Sequence, residues 1–238
     1  GLVVIGCTDY ASGPDYASGP KNMESRDISG NLYSVFSEEY GEQSEHSMYT
    51  YVLFKHNINA KRNLALVEPI IKDTSFELKS INRQNMNVFY FPVRSFYDLD
   101  NALESEPSTD DFLLENLMES FYDFKKESRI IQKFCESHSV SCEHTGEGPF
   151  MISTPVPISQ LGNKAFLFVD LSGINSSAFP EIVDAYKKRI LEDDPLRNEP
   201  FISIRLKLLN ALLEMAQFTS PVSTAVGKIL QSSDQRYN

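Results

Sequence analysis

The chain has 238 residues, of which 41% are hydrophobic, and a formal net charge of −11 at pH 7. This length holds one sizeable domain with an ample core, with or without appendages. The negative charge argues against a nucleic-acid-binding surface, which needs clustered Lys and Arg to neutralise phosphates, and it disfavours broad binding to anionic lipid. No apolar run in the sequence approaches the about 20 residues that a membrane-spanning helix requires.

The first segment is an aliphatic run followed by a small residue and a cysteine, Leu2-Val3-Val4-Ile5-Gly6-Cys7. This pattern resembles the lipobox of bacterial lipoproteins, in which the cysteine receives the lipid. The resemblance implies that Cys7 is lipidated, that a processed chain begins at Cys7, and that the protein faces the periplasm of a bacterial cell envelope. Contact with the membrane would then be through the lipid anchor alone. The alternative is a short buried strand with an inert thiol.

A duplicated hexapeptide follows, Asp9–Pro14 and again Asp15–Pro20, each reading Asp-Tyr-Ala-Ser-Gly-Pro. Repeated Ser-Gly-Pro sequence is typical of a linker, so we assign residues 1–47 to a lipobox-like segment and flexible tether. An unselected duplication in a floppy terminus is the alternative. Near the end of this segment, residues 32–36 are expected to form a short element that packs on the domain, and His46 is expected at the surface.

An alternation of strands and helices begins at Met48 and predicts an α/β domain over residues 48–191. Strands are expected around Tyr51–Phe54, over Phe76–Ile81 and over Val88–Val93, with a helix over Asn59–Lys72 that Pro69 weakens or bends. A helical turn is expected near Leu99–Glu104.

The longest helical pattern runs from Ser108 to His138, where apolar residues recur at intervals of three and four. A polar loop then leads to a strand at Pro149–Thr154. A second strand, Ala165–Leu171, is apolar without interruption, which indicates burial on both faces. The turn signal Gly162-Asn163 predicts that these two strands are antiparallel neighbours, and a helix is expected over Ala178–Leu191.

This order of elements, with Gly148-Pro149 placed before the last strand pair, resembles the thioredoxin fold. The resemblance implies a three-layer α/β sandwich and a cis peptide before Pro149. It departs from the family at the position of the Cys-x-x-Cys motif, where the chain reads Lys55-His56-Asn57-Ile58-Asn59. Thiol chemistry at a helix N-terminus needs a cysteine there, so no disulfide reductase activity is expected. Residues 192–238 are assigned to an added C-terminal helical pair.

The remaining cysteines lie in a cluster with two histidines: Cys135, His138, Cys142 and His144. If Cys7 carries lipid, a Cys135–Cys142 disulfide accounts for every cysteine in an oxidising envelope. The same four side chains are candidate zinc ligands, because zinc favours thiolate and imidazole, although their spacing matches no common zinc finger. Two reduced thiols, with Cys135 as a small core residue, are the third alternative.

No phosphate loop, nucleophile elbow or zinc-protease motif occurs in the sequence, and an isolated His56 after a strand does not define a catalyst. We therefore expect a non-catalytic cell-envelope lipoprotein that acts as a scaffold or partner-binding subunit, with a secretion or envelope assembly as one setting for it, and with a protein partner and no cofactor. The alternatives are a periplasmic thiol oxidoreductase or redox chaperone that uses Cys135 and Cys142, and a small metal-binding module.

Overall fold

The structure, a computed structural model, describes residues 3–5, 30–38, 41–42, 46–54, 60–72, 74–76, 86–106, 108–138, 148–162, 166–172 and 174–192. Over these ranges the chain forms an α/β fold in which a mixed β-sheet is flanked by helices, as the alternation of strand and helix patterns predicted.

The sheet contains seven described strands in the order β1-β7-β6-β3-β5-β2-β4. Their bounds are β1 Val3–Ile5, β2 Gly30–Phe36, β3 Met48–Leu53, β4 Ser75–Phe76, β5 Met86–Pro92, β6 Phe150–Thr154 and β7 Leu167–Asp170. Strands β3, β5, β2 and β4 are parallel, whereas β6 is antiparallel to both β3 and β7, and β1 is antiparallel to β7. Five longer strands thus form the centre, and the short strands β1 and β4 lie at the two edges.

The predicted pairing of the last two strands is confirmed. Strands β6 and β7 are antiparallel, with Ile152 opposite Phe168 and Met151 opposite Val169. Every residue of both strands is buried, because helices cover both faces of this part of the sheet. The uninterrupted apolar pattern of β7 reflects that double burial.

Among the described residues, five α-helices flank the sheet: α1 Ala60–Lys72, α2 Phe96–Leu103, α3 Thr109–Asn116, α4 Phe124–His138 and α5 Phe179–Glu192. One apolar cluster joins α1, α2, α3 and α5 to the sheet, and a second joins α4 to it. Alternate residues of β3 enter the two clusters, Val52 the first and Leu53 the second, so the clusters lie on opposite faces. The α1 helix continues through Pro69, whose carbonyl accepts a 2.8 Å hydrogen bond from Lys187 Nζ on α5.

The single helix predicted over Ser108–His138 is wrong. After α3 the chain forms a π-helical turn, Leu117–Phe121, and Tyr122 then adopts an extended conformation with φ −62° and ψ 136°. Tyr122 pairs with Val93 in an isolated antiparallel bridge, and Asp123 Oδ1 accepts the backbone N–H of Lys126 at 2.9 Å to begin α4. The helical periodicity continues across this break because both helices bury an apolar face, although the two faces meet different clusters.

Several parts of the predicted tether segment belong to the folded structure, and one of them is β1, which pairs with β7. Strand β2 pairs with β5 along its whole length, from Gly30 opposite Met86 to Phe36 opposite Pro92, so the sheet begins before the predicted boundary at residue 48. The predicted surface position of His46 is wrong, because its residue is only 8% exposed. The centroids of the His46 and Tyr49 rings are 5.7 Å apart, and the Tyr49 hydroxyl accepts the His46 backbone N–H.

Candidate functional site

Open α/β sheets usually bind ligands beyond the carboxyl ends of their parallel strands. In this chain β3 and β7 both end at that edge and β6 begins there, since Phe150 is paired with Leu53 on one side and with Asp170 on the other. The N-terminus of α1 and the Gly148–Pro149 segment lie at the same edge, and the Gly148–Pro149 peptide is cis. This carboxyl edge is the candidate functional site.

Arg62, on the first turn of α1, connects the loop that contains Gly148 with the loop that follows β7. Its Nη1 donates to the carbonyl of Ile174 at 2.6 Å, and its Nη2 donates to the carbonyls of Leu171 at 2.5 Å and Ser172 at 3.1 Å. Its Nε donates to the carbonyl of Gly148 at 3.4 Å. The planar guanidinium suits this task because its donors are held in a fixed fork, so one side chain serves several fixed acceptors.

The guanidinium of Arg62 also lies over the ring of Phe179, 4.8 Å from its centroid. A cation over an aromatic face is attracted by the negative electrostatic potential of the ring. Because Phe179 is the first residue of α5, this contact links α1 to α5 as well as to the two loops. Arg62 therefore connects α1 and α5 to the two loops at the carboxyl edge, and we call this set of contacts the joint around Arg62.

A second connection runs from the end of β7 to Gly148. The buried carboxylate of Asp170 accepts hydrogen bonds from both the backbone N–H and the hydroxyl of Ser172. The Ser172 hydroxyl in turn accepts the Gly148 N–H at 2.8 Å. Both backbone polar groups of Gly148 are thus engaged by side chains, the N–H by Ser172 and the carbonyl by Arg62.

The side chain of Tyr122 lies at the end of β3 and is hydrogen-bonded to the backbone there. Its hydroxyl donates to the carbonyl of Val52 at 3.2 Å and accepts the backbone N–H of Phe54 at 3.1 Å. The side chain is fully buried, and that burial, followed by the nearby carboxyl of Glu127, raises the pKa of Tyr122 well above its ordinary value. A neutral hydroxyl can both donate and accept. It therefore satisfies the Val52 carbonyl and the Phe54 N–H, which a neighbouring strand would otherwise satisfy.

A row of buried polar side chains crosses the sheet beneath α5. Thr50 Oγ1 donates to Asn87 Oδ1 at 2.8 Å and lies 3.1 Å from both Ser153 Oγ and the Tyr186 hydroxyl. Ser153 and Tyr186 are also hydrogen-bonded to each other. Burial raises the pKa of Tyr186 to about 12, although its two hydroxyl partners oppose the shift. These groups satisfy one another, as buried polar groups must, and they fix the register of three strands against one helix.

Among the predicted site residues, Cys135 is the one whose side chain the structure describes in detail. It lies on α4, is 4% exposed, belongs to the apolar cluster under that helix, and is disulfide-bonded. Its partner lies outside the described residues, as do Cys7, His56, Cys142 and His144. The Cys135–Cys142 pairing and the lipidation of Cys7 therefore stay predictions.

The metal alternative also stays a prediction. Within the described ranges no group of three or more His, Cys, Asp or Glu side chains could hold a metal ion. Of the four proposed ligands, the structure gives His138 only as the last residue of α4, and a cysteine in a disulfide has no thiolate to offer. Zinc binding through Cys135 therefore requires the reduced protein.

The residues that organise the carboxyl edge were missed by sequence reasoning. Arg62 has no local signal, because its acceptors lie between 86 positions away, at Gly148, and 112 positions away, at Ile174. The Asp170–Ser172 contact had one, since an Asp at the end of a buried strand often accepts the backbone N–H two residues on, here that of Ser172. Tyr122 resembled one more apolar position of a long helix.

Comparison of the chain with protein-family models, with curated proteins and with solved structures found no match. Among the helices that the structure describes, none is both long enough and apolar enough to cross a membrane.

Proposed function

We propose that the chain is a thioredoxin-like, non-catalytic partner-binding protein of the bacterial cell envelope. The fold part of the proposal is supported by the element order from Met48, in which strand β3, helix α1, strand β5, helix α4, strands β6 and β7 and helix α5 follow one another. Strand β4 and helices α2 and α3 are additions to that order. The cis peptide at Gly148–Pro149 lies immediately before β6, where the resemblance places it.

The observation that carries the non-catalytic part is the joint around Arg62. Its guanidinium is committed to backbone carbonyls on two loops, and Gly148 has its N–H and carbonyl bonded to Ser172 and Arg62. A backbone whose polar groups are satisfied internally offers no row of donors and acceptors for an incoming extended peptide. The carboxyl edge thus serves as a rigid structural joint.

The cysteine chemistry supports the same conclusion. Residues 55–59 contain no cysteine, so the position expected for a reactive dithiol has none. Cys135 is 4% exposed and already disulfide-bonded. Thiol–disulfide exchange requires access of an attacking thiolate to the sulfur, and burial denies that access. The bonded state of Cys135 is also the observation that keeps a thiol oxidoreductase as the second candidate, since that activity needs an oxidised cysteine pair.

Insulin reduction by the full chain, with dithiothreitol as the terminal reductant, separates these two candidates. The proposal expects a rate equal to the uncatalysed rate, with an active thioredoxin as the positive control. Cys135→Ser is the matched variant, and it should leave that rate unchanged. Turnover by the full chain that is lost in Cys135→Ser would reject the non-catalytic proposal in favour of the oxidoreductase.

The anchoring part of the proposal is supported by the lipobox-like sequence before Cys7. A lipid on Cys7 predicts that native protein expressed in a bacterium partitions into the membrane fraction and that Cys7→Ala releases it. Cys135→Ser, which leaves the lipobox intact, is the control and should stay in the membrane. Native protein that is soluble with an intact Gly1–Gly6 segment would reject the anchor.

A further inference from the structure

Helix α4 carries a row of basic side chains on the face that it turns to solvent. Lys125, Arg129 and Lys133 are exposed and recur at intervals of four. They therefore lie along one stripe of the helix, about 6 Å apart along its axis. The carboxyl group within this stretch, Glu127, is buried, so no exposed carboxylate alternates with the cations from Lys125 to Lys133. We call these three residues the basic row.

The basic row contrasts with the composition of the rest of the chain. The formal net charge is −11, and residues 95–123, which precede α4 and include α2 and α3, contain no Lys or Arg. Helices α2 and α3 pack on one face of the sheet, whereas α4 packs on the other. The acidic and the basic helices thus lie on opposite faces of the molecule.

The basic row costs the helix some of its own stability. Lys125 lies in the first turn of α4, near the positive end of the helix dipole, where an acidic side chain would be favourable. The pairs Lys125–Arg129 and Arg129–Lys133 place like charges four residues apart, which destabilises a helix. Sequence choices that oppose local stability are typical of functional surfaces.

Contacts within the protein engage only part of this basic surface. Arg129 Nη1 lies 3.0 Å from Glu38 Oε1, and the Nζ of Lys126, beside the row, lies 4.5 Å from the centroid of the Phe36 ring. Among the residues that the structure describes, neither Lys125 nor Lys133 has an ion-pair partner. Glu38 shows that a carboxylate fits against the middle of the row.

The Glu38 contact is one that a ligand could replace. The side chains of Arg129 and Glu38 are 53% and 72% exposed. Exposed ion pairs contribute little stability, because water and salt screen them. Another carboxylate could therefore take the place of Glu38 at Arg129 and contact the two flanking lysines at the same time.

We propose that the basic row on α4 is a docking surface for an extended acidic segment of the partner protein, with carboxylates at alternate positions. Alternate residues of an extended chain are about 6–7 Å apart, which matches the spacing of the basic side chains. The net charge of −11 repels broad anionic surfaces, so a short acidic segment suits a local basic row. The inference rests on the proposed partner-binding function and names its surface and chemistry.

The test is fluorescence anisotropy of a labelled peptide, Ser-Glu-Ser-Glu-Ser-Glu-Ser, titrated with the full chain at about 0.05 M NaCl, where screening is weak. Lys125→Gln with Lys133→Gln should weaken binding about tenfold, since each exposed ion pair contributes up to roughly fivefold. Lys61→Gln with Lys188→Gln, on α1 and α5, changes the net charge equally and should bind as the wild type does. Lys125→Arg with Lys133→Arg should also retain binding.

Two further measurements separate docking from a general effect of charge. Glu38→Gln should tighten binding roughly twofold or more, because it removes the carboxylate that competes for Arg129. Glu119→Gln, an exposed position with the same change of charge, should leave the affinity unchanged. A peptide of the same composition with contiguous glutamates, Glu-Glu-Glu-Ser-Ser-Ser-Ser, should bind more weakly than the alternating one.

No binding of the alternating peptide by the wild type, or equal affinities for the two lysine-to-glutamine pairs, would overturn the proposal. A wild-type dimer in sedimentation that is lost in Lys125→Gln with Lys133→Gln would also overturn it, because the occupant would then be a second copy. Flotation with phosphatidylserine vesicles that depends on the same lysines would overturn it in favour of a membrane surface. None of these results depends on insulin turnover, so a failure here is distinguishable from a failure of the non-catalytic proposal.

Discussion

At the scale of single residues, Arg62 is the side chain on which the carboxyl edge depends. Its three nitrogens contact carbonyls of Gly148, Leu171, Ser172 and Ile174, which belong to two separate loops. Without Arg62 these carbonyls lose a hydrogen bond from a charged donor, although the Leu171 carbonyl keeps the backbone N–H of Ile174 as a partner at 3.0 Å. The joint therefore couples the stability of α1 to that of both loops.

Arg62→Met should destabilise the protein by roughly 2–3 kcal/mol, since hydrogen bonds from a charged donor contribute about 1.5–3 kcal/mol each and this site is half-buried. Arg62→Lys should lose about half as much, because an ammonium cannot reach acceptors on both loops at once. Urea unfolding measures both. Lys61→Met, at the exposed neighbouring position, is the control and should stay within about 0.5 kcal/mol of the wild type. If Arg62→Met lowered the free energy of unfolding by no more than Lys61→Met does, the proposed structural role of Arg62 would be contradicted.

The buried tyrosines predict a loss of stability at alkaline pH. Burial raises the pKa of Tyr186 from 10.0 to about 12, and the pKa values of Tyr33, Tyr51 and Tyr122 are raised in the same direction. A pKa that is higher in the folded protein means that the folded state holds the proton more tightly. The stabilisation is therefore complete below pH 10 and is lost as the pH rises toward 12.

Urea midpoints measured across that alkaline range should fall, and the absorbance of tyrosinate should rise late and together with unfolding. Tyr186→Phe should reduce the slope of stability against pH above 10. Tyr97→Phe, at a residue that is 65% exposed, should leave the slope as it is. A midpoint that does not change between pH 10 and 12 would show that these hydroxyls are not buried as described.

At the scale of elements, the break between α3 and α4 positions the Tyr122 hydroxyl. A π-helical turn shifts the following residue relative to a regular helix, and such turns often occur where a side chain has a specific task. Here the shift brings Tyr122 to the end of β3, where its hydroxyl contacts the backbone of Val52 and Phe54. The helical interruption and the end of the strand are therefore one structural feature.

Tyr122→Phe should cost about 1–3 kcal/mol, because it leaves a buried backbone N–H and a buried carbonyl without their partner. The substitution conserves the ring, which packs against Phe54 at 5.3 Å, so the loss isolates the hydroxyl. Thermal unfolding provides the measurement. A stability equal to the wild type would mean that water replaces the hydroxyl at no cost.

The disulfide of Cys135 is a covalent cross-link near the C-terminal end of α4. If Cys142 is its partner, the closed loop is short, and the chain-entropy model gives about 2–3 kcal/mol for such a loop. Cys142→Ser should then destabilise the oxidised protein by that amount, whereas Cys7→Ser should not change its stability. Thiol titration of unfolded Cys142→Ser protein should find one more reactive thiol than in the wild type. One reactive thiol fewer than in the wild type would place the bond between Cys135 and Cys7.

Element by element, the sequence predicted what depends on periodicity and missed what depends on distant contacts. The β6–β7 pair was predicted because a turn signal separates two apolar runs, and β7 is buried as its uninterrupted apolar run predicted. Strand β2 was assigned to a short element because polar residues surround it, yet it pairs with β5 over seven residues. Tyr122 interrupts a helix that the apolar spacing continues, because the interruption is set by β3 and by Val93, which are distant in the sequence.

The candidate site was less predictable than the strands. The importance of Gly148-Pro149 could be inferred from its place before a strand pair, whereas Arg62 and Ser172 act through backbone groups that no sequence pattern identifies. His46 was expected at the surface because its sequence neighbours are polar, but tyrosines from two strands cover it. Local composition thus failed wherever a residue is buried by elements far along the chain.

At the scale of the whole molecule, the proposal gives each cysteine a role outside catalysis. Cys7 is proposed to carry the anchor, and Cys135 is in a buried disulfide whose proposed partner is Cys142. The carboxyl edge of the sheet is a structural joint between α1, α5 and the loops around β6 and β7.

The intact mass of native protein extracted from membranes tests this division of the cysteines most directly. The account predicts a chain that begins at Cys7, carries a lipid on that residue, and lacks the two hydrogens that a disulfide removes. Reduction should restore those two hydrogens and leave the lipid in place. A mass equal to the full unmodified chain from Gly1, with all three cysteines as thiols, would contradict it.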